Sequence, residues 1–185
     1  MKVRRPISGA LLAGVLFFAA CKIPAWVNTV ESDAEVAAPI AASLIDVIDP
    51  ALVPVVTLIE NGFNALVQTL DAYKAAPTAT NLQAVQSAFE AVNSNVAQLE
   101  SAAQIKDAKT ATTVTEVVQL LTQAVTEISA LVPPGSGLGV GGSGLASPSP
   151  NPNPESRIPK GWKGKDFKRE FNKIVQGDPR FKPLE

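Results

Sequence analysis

Residues 81–103 read NLQAVQSAFEAVNSNVAQLESAA, with apolar side chains at Leu82, Val85, Phe89, Val92, Val96, Leu99 and Ala103. The intervals alternate strictly between three and four, which places all seven on one stripe of an α-helix. Thr80 followed by Gln83 has the pattern of a capping box and predicts the helix start. The same spacing continues on both sides. Upstream it runs through Val56, Ile59, Phe63, Leu66, Leu70 and Tyr73. Gly62 lies inside that segment and costs about 1 kcal/mol relative to alanine, yet the phase is unbroken across it, so the helix is expected to continue. Downstream it runs through Val114, Val117, Leu121, Ala124, Ile128 and Leu131, widened by Val118, Val125 and Val132. Residues 110–118 are rich in β-branched side chains, which favour strands. Their apolar positions do not alternate every second residue, so period decides for a helix.

Breakers separate these helices. Ser32-Asp33-Ala34-Glu35 is a second capping-box pattern. It predicts a short helix from about residue 32 to Ile48, with Val36, Ile40, Leu44 and Val47 or Ile48 inward and a late start or bend at Pro39. Asp49-Pro50 reads as an N-cap followed by proline at the first helical position, with a kink expected near Pro54. Ala76-Pro77-Thr78-Ala79 interrupts the pattern, as does a short break at residues 104–106 with Asp107 as the next N-cap. Pro133-Pro134-Gly135 ends it. Helices of about 20–25 residues are about 30–37 Å long, and connections of a few residues make neighbours antiparallel. The expectation is an all-α fold: a three- or four-helix up-and-down antiparallel bundle over residues 32–132. A Gly/Ser/Pro/Asn-rich linker at 133–159 and a short amphipathic helix in a basic aromatic segment, 160–185, complete the chain. The bundle stripes are core first, with coiled-coil association through the leftover Val118-Val125-Val132 seam as the second use.

The net charge of −1 conceals three blocks. Residues 1–28 carry +4, residues 29–134 carry −9, and residues 155–185 carry +4. The body is acidic between two basic ends. With one cysteine and no histidine in 185 residues, an intramolecular disulfide, a thiolate metal cluster and the His-dependent nucleophile systems are excluded. Glu31, Asp33, Glu35, Asp46 and Asp49 read as caps and solvated surface, since no acid pair has a second group placed for proton transfer. Gly137-Leu138-Gly139-Val140-Gly141 is preceded by no strand and followed by no helix, so it reads as linker rather than as a phosphate loop. No catalytic residue, metal ligand or cofactor is expected, and the chain reads as non-enzymatic.

The amino-terminal stretch reads as targeting information. Lys2, Arg4 and Arg5 precede an apolar run from Ile7 to Ala20 that is shorter than a spanning helix. It ends in Phe18-Ala19-Ala20-Cys21, which resembles the lipobox of bacterial lipoproteins, where two small residues precede the modified cysteine; the family usually has leucine where Phe18 stands. The resemblance implies a signal peptide at residues 1–20, diacylglycerol on the Cys21 thiol and Cys21 as the first residue of the mature chain. Lys22 stands where inner-membrane lipoproteins of enterobacteria typically have aspartate, so the resemblance favours the outer membrane facing the periplasm. Simple secretion and an uncleaved anchor are the other readings of this segment. Two or three acyl chains at about 0.8 kcal/mol per buried CH₂ would hold the chain lastingly. Residues 21–31 are then a lipid-proximal tether, with Trp26 either at the headgroups or against one end of the bundle.

The carboxy-terminal segment holds four of the ten aromatic residues, Trp162, Phe167, Phe171 and Phe181. A helix over about residues 165–176, stopped by Gly177, lines up Phe167, Phe171, Ile174 and Val175 on one face, with Lys165, Lys168, Arg169 and Lys173 around the rest. A helix this short is marginal alone and should dock. The first reading makes Trp162, Phe167, Phe171, Ile174, Lys168, Arg169 and Lys173 a binding motif for a protein or membrane-surface partner; export argues against nucleic acid. The second is a structural, self-associating envelope protein whose C-terminal segment docks on its own or a neighbouring bundle.

Overall fold

A computed structural model describes residues 23–102, 108–133 and 161–185, with side chains for all of these except 108–111. Cys21, the signal segment, Asp107 and residues 134–160, which include all of the expected linker at 133–159 except Pro133, lie outside the described residues. The fold is all-helical: α1 (Ala25–Ala42), α2 (Val53–Ala75), α3 (Ala79–Ala102), α4 (Ala108–Leu131) and α5 (Gly164–Ile174) pack against one another. Helix α1 touches α2, α4 and α5; α3 lies against α2 and α4; α5 lies against α1 and α4.

The central stripe is occupied as its spacing requires. Val85, Phe89, Val92, Val96 and Leu99 of α3 are buried, facing a core that also takes Val56, Ile59, Phe63, Leu66 and Leu70 from α2. Helices α2 and α3 form an antiparallel hairpin. Asn81 ties it shut by donating its side-chain amide to the Ala72 and Ala76 carbonyls at 3.1 and 2.7 Å. The cap of α3 is Thr78, whose hydroxyl accepts from the Asn81 amide at 3.2 Å, two residues before the expected Thr80. Gly62 sits where the two helices come closest: a Cβ there would lie 2.7 Å from Val92 Cγ2. Its propensity cost is thus offset by close backbone packing. Residues 110–118 are helical, with Val114, Val117 and Val118 buried. Burial of a stripe outweighs β propensity there.

The first helix departs from its expected bounds. It begins at Ala25, so residues 25–31 belong to the packed body and not to a tether, and Ser32 is an interior helical residue instead of an N-cap. Val27 and Val30 are fully buried, and Trp26 stacks at 5.8 Å on Tyr73 near the end of α2. That apolar burial decides the start over the capping signal. Pro39 is accommodated inside the helix, which ends at Ala42 instead of running to Ile48. Ala34, Ala37, Ala38 and Ala41 are buried, a small-residue face that lets neighbouring helices approach closely. Asp49 caps the following 3₁₀ turn, Pro50–Leu52, by accepting from the Ala51 amide at 2.9 Å, and Pro54 lies in the first turn of α2.

By length and composition Pro50–Ala75 is apolar enough to cross a membrane. Its inward stripe is filled by the core residues named above, while Asn61, Asn64 and Gln68 are exposed.

Candidate functional site

The C-terminal segment is where charge, aromatic content and an unusual carboxyl group meet. Phe167, Phe171 and Val175 recur every fourth residue along α5 and are buried with Phe181 in the same core as α1–α4. Trp162 packs edge-on against Phe167 at 5.6 Å, and Phe171 against Phe181 at 6.4 Å. Phe167 and Phe171 are therefore core residues of this chain and not a free docking face, because α1 and α4 already cover them. Trp162, Ile174 and Lys168 are half-buried, and Arg169 and Lys173 are exposed. Of the seven residues expected to meet a partner, Phe167 and Phe171 turn inward, Arg169 and Lys173 stay toward solvent, and Lys168 is partly covered. Arg169 pairs with Asp166 at 3.1 Å and Lys173 with Glu170 at 3.3 Å, which tempers the charge of the ridge; Lys165 is exposed beside them.

Both ends of α5 are fixed by short-range chemistry. Before it, the Gly161 amide donates to Glu127 Oε2 of α4 at 3.2 Å, with Gly161 at a positive φ of +91° that favours glycine. At its start Asp166 Oδ2 accepts from the Lys163 amide at 3.1 Å, a capping contact suited to the positive end of a helix. After it, Gly177 takes φ +88° and the chain folds back. The Asn172 side chain then exchanges hydrogen bonds with the Leu184 backbone at 3.0 and 2.7 Å. Arg180 donates to both Asp178 carboxylate oxygens, at 2.9 and 2.7 Å. That pairing holds the Asp178 pKa down at about 2.

The point of contact with α1 is tight. A Cβ on Gly164 would overlap the Ser32 carbonyl oxygen and lie 2.8 Å from Ser32 Oγ, so only glycine lets the start of α5 approach α1 this closely. The next residue, Asp33, is 0% exposed, and neither carboxylate oxygen has a hydrogen-bond partner. Burial pushes its pKa up to about 7; the Gly164 amide pulls it down, Glu127 and Asp166 push it further up, and Lys163 opposes them. The buried position of Asp33 corrects the expectation that it is a cap or solvated surface like its neighbours. A signal was there: Asp33 is three residues after Val30 and four before Ala37, on the inward stripe of a helix that starts at Ala25. Glu31, by contrast, pairs with Lys74 of α2, and that hydrogen bond raises the lysine pKa.

Among the described residues no group of three or more Cys, Asp or Glu side chains is arranged to hold a metal ion. A shallow groove lies beside Asn172, Val175, Pro179 and Phe181. Compared with known proteins, the chain matches no family model, no curated protein and no solved structure.

Proposed function

We propose that this is a lipid-anchored, non-enzymatic protein of the bacterial envelope, held at the membrane through Cys21. Its up-and-down helical bundle carries the C-terminal segment docked on its own surface. The single observation that carries the reading is the inward placement of Phe167 and Phe171 with Lys165, Arg169 and Lys173 left outside. A segment seated this way offers a partner or an anionic lipid surface its basic ridge, while its aromatic residues complete the core. This favours the docked arrangement over a tethered arm with an open apolar face, and it leaves association between neighbouring copies to the outer helix surfaces. The anchor rests on the likeness of Phe18-Ala19-Ala20-Cys21 to a lipobox, on the outer-membrane sorting implied by Lys22, and on the basic and apolar run before them.

Intact mass and detergent partitioning in a bacterial host, beside Cys21→Ser, test the anchor. The expected result is acyl mass on a chain beginning at Cys21 and partition into detergent, both lost in the variant. Two unmodified, aqueous chains would overturn it.

A further inference from the structure

We propose that Asp33 is a proton-gated latch on the C-terminal segment: protonated, its carboxyl lets the segment stay seated on α1 and α4; ionised, it drives the segment off. The proposal needs the docked segment of the preceding section but not the lipid anchor.

Three observations converge on it. The carboxyl group is wholly buried, and the Gly164 amide approaches it without closing a hydrogen bond of ordinary geometry. It lies where the first turn of α5 meets α1, beside a contact at Ser32 and Gly164 too close for any Cβ. The charged groups facing it are Glu127 from α4, and Asp166 and Lys163 from the α5 segment, two acids against one base. Glu31 on its own helix is engaged with Lys74 of α2 instead. A carboxylate in such a place is costly, because burial removes its water and the Gly164 amide and Lys163 compensate only in part. The positive end of α5 offers partial compensation, but burial is the largest influence on this group and works the other way. The side of the enclosure formed by α5 opens in this proposal by parting of its contacts with α1 and α4. Opening would give the carboxylate water.

The sign follows from linkage. In the docked fold the Asp33 pKa stands at about 7 against the ordinary 3.8; opening of α5 that returns the carboxyl to water moves it back toward the ordinary range, so the docked state binds the proton more tightly and docking is coupled to proton uptake. The stabilisation is complete below the ordinary carboxyl range, declines as pH rises, and is gone above about 7. Acid closes the latch and neutral-to-alkaline conditions open it, exposing the Phe167 and Phe171 face.

The test is amide hydrogen exchange of residues 164–174 in the full chain, corrected for intrinsic rates, at about pH 5 and about pH 8, beside Asp33→Asn. The expected result is a fall in wild-type protection of about tenfold or more between the two conditions, with the asparagine variant nearly flat. Equal loss in both proteins, or loss in neither, overturns the latch. Carbon-13 titration of the wild-type Asp33 carboxyl provides an arm that does not depend on the variant folding: a midpoint near neutrality supports the latch, and one at an ordinary carboxyl value overturns it. If α5 is unprotected at every pH, the docked reading itself falls; the lipid anchor is untouched by any of these results.

Discussion

At the scale of single residues, glycine and aspartate decide how the C-terminal segment is held. Gly164→Ala pits two effects of known sign against each other. Alanine is favoured over glycine within a helix by about 1 kcal/mol, but here the methyl group would strike the Ser32 backbone. Backbone cannot rotate away as a side chain can, so sterics win, and a net loss of about 1–3 kcal/mol is expected. Urea unfolding of the full chain measures it; a gain in stability would show that α5 does not meet α1 at this point. Asp33 is the matching case in electrostatics. Its carboxyl has the burial of an apolar residue without the well-formed hydrogen bonds that buried polar groups usually have, and the groups nearest it, Gly164 and Lys163 among them, tie its protonation state to the position of α5.

At the scale of elements, the aromatic residues of α5 carry the docking energy. Phe167 is fully buried against the other helices, so Phe167→Ala should cost about 3–5 kcal/mol in the main unfolding transition followed by circular dichroism. A change below about 1 kcal/mol would mean that α5 is not part of the cooperative unit. Much of the helical layout is legible in the sequence. The three-four spacing of residues 82–99 and 56–70 named the buried residues of α3 and α2, and Asp49-Pro50 named its own turn. The misses have a common physical origin. Ser32-Asp33-Ala34-Glu35 and Thr80–Gln83 look like caps because capping needs only local spacing, whereas the true starts at Ala25 and Ala79 depend on distant partners. For α1 these are the Trp26–Tyr73 contact and the burial of Val27 and Val30. A helix begun at residue 32 leaves out Val27 and Val30, the residues that set the inward register of Asp33. The amphipathic face of α5 was plain in sequence. What covers it was not, because an apolar stripe carries no label for the surface it meets.

At the scale of the whole molecule, the acidic body and the basic C-terminal segment belong together. The body carries −9 over residues 29–134 and the segment +4 over residues 155–185, a complementarity that aids docking within one chain, and tethering raises the effective concentration further. The apolar contact and the close approach at Gly164 then set the register. The most direct measurement of this arrangement is the spin–spin distance between labels at Gln119→Cys on α4 and Lys165→Cys on α5, both exposed positions, in a Cys21→Ser chain. A seated segment predicts one narrow distance distribution that is unchanged when labelled protein is diluted with unlabelled chain. A broad distribution, or a signal that disappears on dilution, would contradict docking of the segment on its own body.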